Sequence, residues 1–194
     1  MPQRILSALF IASLAMPSTT RSQSPSASAA SDTLGRFPQV TGESLAGKRF
    51  DLPREFEGDL NIVLVAFKRD QQRDVDSWMP FLKKLTRTGT NVRIYEIPTL
   101  GRGYRLMRPM IDGGMRRGIP DPSVRAATIT LYLNKTPFRS ALQIPTEDSI
   151  YVLLVDRDGA VHARAAGPFE AAAAAAFKQQ FDSIPITTRG IGSP

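Results

Sequence analysis

The segment of residues 60–67 is the feature that most constrains the fold. Its sequence, LNIVLVAF, is almost wholly apolar and rich in β-branched residues, as expected for a strand buried on both faces of a sheet. A polar turn then leads into a helix, which is predicted from apolar residues at three- and four-residue spacing: Val75, Trp78, Met79, Leu82 and Leu85. Residues 91–97 alternate in polarity and predict a second strand. Strand, helix and strand of these lengths form a βαβ unit, which requires a parallel strand pair.

The remaining pattern completes one α/β domain over residues 37–184, with a central mixed sheet flanked by helices. Residues 42–53 predict a β-hairpin that covers one edge of the sheet. Further strands are predicted over residues 126–133, 150–155 and 160–165, and short helical segments over residues 104–112 and 138–142. A closing helix is predicted to begin at Pro168, with its apolar stripe formed by Phe169, Ala173, Phe177 and Phe181.

The N-terminus has the pattern of an export signal. A short basic start is followed by an apolar run over residues 5–16, which is too short to span a bilayer, and no acid precedes Asp32. We predict a signal peptide over residues 1–22, with cleavage as late as residue 29 as an alternative. A disordered linker over residues 23–36 and a flexible tail over residues 185–194 are also predicted. These features predict a periplasmic or other extracytoplasmic protein; the alternative is a mitochondrial transit peptide.

The chain contains no cysteine, so thiol catalysis, disulfides and iron–sulfur clusters are excluded. His162 is the only histidine, and because no partners for a zinc site are evident we expect a surface histidine and no metal. Asp70, Asp74 and Asp76 cluster where the first helix begins. Paired carboxylates can do acid–base chemistry, but acids are also typical of a helix N-terminus, where Asp70 would cap the helix. We therefore predict no catalytic residue, no cofactor and no enzyme activity.

The order of elements resembles the thioredoxin-like fold in its peroxiredoxin-type version. In thioredoxins the first active-site cysteine follows the aromatic residue that ends the strand by five positions, the second follows three later, and a helix-kinking proline follows five after that. Counted from Phe67 or back from Pro80, these positions are Gln72 and Val75. The frame is therefore present without its thiols. The cis-proline that precedes the penultimate strand pair in that fold also has no counterpart, because residues 147–149 are Glu, Asp and Ser.

The chain more closely resembles the mitochondrial ATPase-complex assembly factor ten family, a cysteine-poor thioredoxin-like branch. The likeness covers most of residues 37–183 and is carried by FPQVTGESLAGKRFDLP, VDSWMPF, YEIP and YRLMRPMIDGGMRRGIPD, at residues 37–53, 75–81, 95–98 and 104–121. This resemblance implies a chaperone-like protein that helps to assemble the membrane sector of the F-type ATP synthase at the inner membrane, on the matrix side in mitochondria.

The most unusual stretch is rich in arginine. Six arginines fall within 24 residues, against Asp112 and Asp121: Arg102, Arg105, Arg108, Arg116, Arg117 and Arg125. Arginine suits bidentate contacts with carboxylates and phosphates, so an acidic protein segment or an anionic lipid headgroup is an expected partner. The alternative is a solvated surface whose arginines pair with acids elsewhere in the fold. Nucleic acid is not expected, because aromatic residues do not interleave with these arginines.

The sequence therefore predicts a non-catalytic, thioredoxin-like protein that binds a protein partner, such as a subunit of a membrane complex, as an assembly factor. The predicted contact residues are Tyr104, Arg105, Arg108, Arg116, Arg117 and Arg69. Two alternatives remain open at this point. One is a thioredoxin- or peroxiredoxin-like oxidoreductase, and the other is a small-ligand sensor that uses the vacant cleft around Arg69 and Gln72.

Overall fold

The computed structural model describes residues 34–87 and 91–184. The predicted signal peptide, the linker up to residue 33 and the tail over residues 185–194 lie outside the described residues. Leu34 and Arg36 already donate backbone hydrogen bonds to the carbonyls of Val161 and Ala141, at 3.2 and 3.1 Å. The last residues of the predicted linker are therefore part of the folded domain.

The described residues form a seven-stranded mixed sheet with helices on both faces. The strands are β1 (Val40–Ser44), β2 (Arg49–Leu52), β3 (Leu60–Ala66), β4 (Val92–Gly101), β5 (Ile129–Leu133), β6 (Tyr151–Asp156) and β7 (Val161–Ala166). The helices are α1 (Gln72–Leu85), α2 (Arg108–Gly118), α3 (Pro122–Ala127), α4 (Lys135–Ala141) and α5 (Ala171–Ser183), with 3₁₀ turns at Arg69–Gln71 and Arg102–Met107. The strand order is β2-β1-β5-β4-β3-β6-β7. Strands β3, β4 and β5 are parallel, and the other neighbours are antiparallel.

Strand β3 lies at the centre of the packing because both of its faces are apolar. Val63 and Val65 pack into a core with Phe37, Phe56 and Phe138 of α4. Ile62 and Leu64 point to the opposite face and pack beneath α1 and α5. The parallel pairing of β3 with β4 and the intervening α1 confirm the predicted βαβ unit.

The predicted core stripe of α1 is confirmed at four of its five positions, since Met79 is only partly buried. Val75, Trp78, Leu82 and Leu85 are buried, and Trp78 is 0% exposed while its Nε1 donates a 2.9 Å hydrogen bond to the Gly167 carbonyl. Pro80 lies inside the helix, as predicted. The β1–β2 hairpin confirms the predicted edge hairpin, since β1 pairs with β5 and β2 is the outer strand.

Several predicted boundaries were wrong, and the largest error concerns α2. The helix was predicted to end at Gly113 but continues through Gly113 and Gly114 to Gly118. Glycine costs a helix about 1 kcal/mol relative to alanine, so contacts with the sheet, described below, must hold α2. Strand β4 runs four residues further than predicted, to Gly101, and α5 begins at Ala171 rather than Pro168. Helix α3 was not predicted.

Within the described ranges, no helix combines the length and the apolar character that a membrane crossing requires.

Candidate functional site

The α1 turn, residues 68–72, occupies the position that carries thiols in the proteins it resembles. Gln72 is the first residue of α1 and is exposed, and Val75 is buried one turn later. Gln72 Nε2 donates a 3.0 Å hydrogen bond to Asp76 Oδ1. Neither side chain is a nucleophile or a redox centre, so the turn has no thiol-type chemistry.

The side chain that organises this turn is Gln71, which the sequence did not single out. Gln71 is only 5% exposed. Its Oε1 accepts hydrogen bonds from the backbone amides of Phe67 and Lys68, at 2.8 and 3.1 Å, and its Nε2 donates to the Glu147 carbonyl at 2.8 Å. The predicted cap by Asp70 was wrong: the N-cap of α1 is Gln71, without a side-chain cap bond. The Gln71 side chain accepts from the backbone amides that follow β3, whereas Asp70 is exposed on the turn.

The loop before β6 closes over the same turn. Lys68 Nζ lies 2.6 Å from Asp148 Oδ1, and this hydrogen bond lowers the pKa of the Asp148 carboxyl. Glu147 pairs with Lys135 and with Arg139, whose Nη1 lies 3.4 Å from Glu147 Oε1; the hydrogen bond from Lys135 lowers the pKa of Glu147. Within the described residues the cis peptide bond is Leu52–Pro53, so a cis-proline does not precede β6, as predicted. The polar groups of the turn are thus largely satisfied within the protein.

The insertion, residues 102–118, comprises the second 3₁₀ turn and α2. Asp112 is the only buried residue of these two elements, at 7% exposure. Its carboxylate accepts hydrogen bonds from Arg108 Nε at 3.1 Å, Thr130 Oγ1 at 3.3 Å and Tyr132 OH at 2.8 Å. Burial, and then the bond to Asp112, raise the pKa of the Tyr132 hydroxyl. The insertion is therefore attached to β5 by polar contacts rather than by an apolar stripe.

Two of the predicted contact arginines take part in this attachment. Arg108 Nη2 lies 2.7 Å from Glu43 Oε2 on β1, and its guanidinium carbon is 5.8 Å from the centre of the Tyr132 ring. Arg116 Nε donates a 2.8 Å hydrogen bond to the Leu45 carbonyl. The alternative of arginines pairing within the fold thus applies to Arg108, although its buried Nη2 lies close to Glu43 without a hydrogen bond of good geometry. Arg116 keeps an exposed side chain.

The other predicted contact residues are exposed. Arg105, Arg117 and Tyr104 lie on the insertion, and Arg69 lies on the α1 turn. Among the described residues no side-chain hydrogen bond or ion pair is recorded for Arg69, Arg105 or Arg117. Arg69 is far from the insertion in the sequence, but in the structure it lines the same groove as α2.

The insertion also presents apolar side chains to solvent. Leu106 is 94% exposed and Met110 63%, with Tyr104 and Met107 about half exposed. These are four of the five large apolar side chains that are exposed in the described part of the chain; the fifth is Phe169. Exposed apolar patches are enriched where proteins meet partners, membranes or ligands. We call Tyr104, Leu106, Met107 and Met110 the outer face of the insertion.

A groove of about 580 Å³ separates the α1 turn from α2. Its floor is formed by Glu96, Pro98 and Leu100 of β4. The α1 turn contributes Lys68, Arg69 and Gln72, and α2 contributes Met110, Ile111, Gly114, Met115 and Gly118. Because Met110 belongs to both surfaces, the groove and the outer face are continuous. The volume lies within the range of about 300–1,000 Å³ that is usual for ligand clefts.

Glu96 is the titratable group at the floor of the groove. Burial, and then the charge of Asp76, raise the pKa of its carboxyl, while a hydrogen bond from Gln72 acts in the opposite direction. The amide of Gln72 therefore lies between the carboxyls of Asp76 and Glu96. The sequence did not identify Glu96, because an acid within an alternating strand gives no sign that the α1 side chains Gln72 and Asp76 will lie beside it.

His162 has an internal partner, since its Nε2 lies 2.7 Å from Asp156 Oδ2. Within residues 34–87 and 91–184, no group of His, Asp and Glu side chains could hold a metal ion.

No family model matches the chain, and no curated protein matches it. Solved structures do. BsSco, a member of the Sco family of cytochrome c oxidase assembly proteins, is 16% identical with a TM-score of 0.56, and the match covers 78% of this chain and 95% of that one. A protein of Aquifex aeolicus VF5 is 11% identical with a TM-score of 0.54, over 76% of this chain and 98% of that one. The thioredoxin domain of a thiol-disulfide oxidoreductase from Bacteroides vulgatus is 17% identical with a TM-score of 0.46, over 77% and 96%.

The first two matches define the fold of the protein. It has the thioredoxin-like α/β fold, as predicted, with a mixed seven-stranded sheet flanked by helices. It is a cysteine-free example of that scaffold. The identities are low, so the matches establish the fold and leave the activity to be argued from the residues.

Proposed function

We propose that this protein acts by binding a protein partner, as an assembly or chaperone-type factor, and that the insertion is its contact surface. The observation that supports this most is the orientation of the insertion. Its acid and one of its arginines face the sheet, while its large apolar side chains face solvent. An element folded only for stability would bury its apolar side chains, so the exposed ones are available to a partner.

We assign the contact residues of the insertion by asking which of its arginines already have partners within the protein. Arg105 and Arg117 are the exposed cations beside the outer face, and Arg102 is a third. Arginine at the edge of an apolar patch gives charge-assisted contacts with carboxylates and is enriched among residues that dominate binding energy. Arg108 is better regarded as a residue that positions the insertion.

The proposed class of work is the assembly of a membrane complex. The resemblance to the ATPase-complex assembly factor ten family carries this idea, and its most diagnostic block, residues 104–121, includes nearly all of the insertion. BsSco belongs to a family of cytochrome c oxidase assembly proteins, so the scaffold is compatible with such work. With the export signal predicted at residues 1–22, we propose an extracytoplasmic location beside a membrane, the mitochondrial inner membrane being the alternative.

The test uses two variants of the full chain in the cells that make it. Leu106→Ser with Met107→Ser removes the apolar contacts, and Arg105→Ser with Arg117→Ser removes the cations. A photoreactive side chain at Tyr104 is expected to form a discrete protein adduct that each double variant reduces about tenfold or more. Adducts that persist in both variants would refute the proposed surface. Membrane recovery at low and high salt shows whether an anionic lipid surface is the partner instead.

The oxidoreductase alternative has a direct assay. Purified protein with a dithiol reductant is expected to consume no peroxide and to reduce no disulfide above the background rate, because Gln72 and Val75 stand at the thiol positions. Turnover in this assay would overturn the binding proposal.

A further inference from the structure

The groove between the α1 turn and α2 has chemistry that the proposed contact surface does not use. Its α2 wall combines large and small residues: Met110, Ile111 and Met115 with Gly114 and Gly118. A Cβ added to Gly114 or Gly118 would find no atom within 4 Å. The glycines therefore keep the groove open without being needed for close packing inside this chain.

A ligand of the groove must meet three chemical requirements. Apolar side chains are needed against the methionines and Ile111, whose flexible and polarisable surfaces adapt to varied partners. An N–H donor is needed at the floor, because the Gln72 amide supplies only one hydrogen bond to the Glu96 carboxyl, and covering Glu96 without a further donor would leave the rest of its carboxyl unsatisfied. A carboxylate matches Arg69 on the wall.

These requirements discriminate between ligand classes. A small molecule confined to the groove would leave Leu106 in water, although the outer face is continuous with the groove through Met110. A lipid bilayer could cover the outer face, but acyl chains supply no donor for Glu96. A peptide segment supplies apolar side chains, N–H groups and carboxylates together.

We infer that the groove binds an amphipathic, acidic segment of a protein partner, whose apolar side chains enter between α2 and the α1 turn and whose carboxylates meet Arg69. This inference rests on the proposed function and adds the site and the chemistry of the segment. An apolar helix face laid in a groove is a common mode of peptide recognition.

The probe is a fluorescent peptide of about 15 residues, long enough to form a helix on binding. It carries leucine at helical spacing and glutamate on its other face. One matched peptide replaces each glutamate with lysine, and another replaces each leucine with serine. Fluorescence anisotropy with the full-length protein measures affinity at about 0.1 M salt, where close ion pairs still act.

Two glycine variants isolate the groove from the rest of the insertion. Gly114→Leu places a side chain inside the groove, whereas Gly113→Leu, one residue earlier and outside the groove lining, is the matched control. Neither added Cβ meets an atom within 4 Å, and leucine favours a helix over glycine. Both variants are therefore expected to fold, which thermal unfolding checks. Gly118→Leu is a second variant that fills the other end of the groove.

We expect the glutamate peptide to bind and each matched peptide to bind about tenfold more weakly or worse. Gly114→Leu should weaken the binding of the glutamate peptide about tenfold, and Gly113→Leu less than about twofold. The inference is overturned by no binding of the glutamate peptide, or by equal affinities for the two glycine variants. A lipid surface is the partner instead if the protein binds vesicles of phosphatidylglycerol and phosphatidylcholine but not the peptide, and if Gly114→Leu leaves the vesicle affinity unchanged. That outcome also overturns the inference. If the Tyr104 adduct survives Gly114→Leu but not Leu106→Ser with Met107→Ser, the groove inference fails and the proposed function stands.

Discussion

The α1 turn and the insertion face each other across the groove, and they differ in which side chains they leave exposed. The turn occupies the position of a redox site, yet Gln71, Lys68 and Gln72 all have partners within the protein. The insertion resembles a simple surface element, yet it exposes four large apolar side chains, and its Arg105 and Arg117 pair with no side chain in the described part of the protein. The region at the thiol positions of thioredoxins contains no thiol, and its polar groups pair within the protein. The insertion is the region whose large apolar side chains are exposed, and we propose that it binds the partner.

The difference lies in where each region places its polar groups. In the turn, an amide and an ion pair connect residues 68–72 with the loop before β6. In the insertion, Asp112 and Arg108 face the sheet, and the large apolar side chains are exposed. Hydrogen bonds and ion pairs within the protein therefore occupy the polar groups of the turn, whereas in the insertion they hold the side opposite the exposed apolar side chains.

The largest expected effect comes from removing the anchor of the insertion. Asp112→Ala leaves the half-buried Arg108 with Glu43 as its one remaining acidic partner. It also removes the acceptor for the hydroxyls of Thr130 and Tyr132. Loss of one partner from a buried charge network costs about 3 kcal/mol of unfolding free energy. Urea unfolding measures it, and Asp70→Ala, on the exposed turn, is the control with a change of less than about 0.5 kcal/mol. Equal effects of the two substitutions would show that Asp112 does not anchor the insertion.

The turn is expected to lose less stability when its own organising residue is changed. Gln71→Ala leaves the amides of Phe67 and Lys68 without their acceptor, at a cost of about 2 kcal/mol. Gln72→Ala, next to it and exposed, should cost less than about 0.5 kcal/mol. The midpoints of urea unfolding compare the two; a larger effect at Gln72 would mean that the thiol position itself supports the turn.

The groove floor gives a smaller effect that depends on pH. The pKa of Glu96 is raised in the folded protein above its ordinary value of 4.5, chiefly by burial. The folded state therefore holds this proton more tightly than the unfolded state, and the stability this contributes below pH 4.5 is lost as pH rises through the folded pKa. Glu96→Gln removes that loss, so the variant should be more stable than the wild type at pH 7.

Thermal unfolding at pH 4 and pH 7 checks this expectation. The advantage of Glu96→Gln should shrink at pH 4, where the wild-type carboxyl is protonated. The same advantage at both pH values would show that ionisation of Glu96 is not its cause.

The smallest effect on stability is expected at the outer face. Leu106→Ala should change the unfolding free energy by less than about 0.5 kcal/mol, because the side chain is almost fully exposed. Leu82→Ala, at a fully buried position of α1, should cost about 3 kcal/mol. If Leu106→Ala costs as much as Leu82→Ala, its side chain packs within the protein and the outer face is not free.

The fold could be predicted because its determinants are local. The apolar run of β3, the period of α1 and the turn at Gly159 each specify an element within a few residues. The count from Phe67 to Gln72 and Val75 then identified the frame. The roles of Asp112, Gln71 and Glu96 depend on contacts between residues far apart in sequence, such as Asp112 with Tyr132 and Gln71 with Glu147.

The insertion was the least predictable region. Leu106, Met107 and Met110 have the spacing of a buried stripe, and that spacing does not reveal that Asp112 turns the opposite side toward the sheet. The choice between a binding surface and arginines paired within the fold also could not be made from the sequence, because Arg108 has a partner on β1 and Arg105 does not.

The most direct test of the account compares the two regions by photo-crosslinking in the cells that make the protein. One full-length variant carries the photoreactive residue at Leu106 on the insertion, and the other carries it at Asp70 on the α1 turn. The account predicts a discrete protein adduct from position 106 that Arg105→Ser with Arg117→Ser weakens. Any adduct from position 70, which is next to the groove residue Arg69, should be with the same protein and of lower yield. A strong adduct from position 70 with none from position 106 would contradict it.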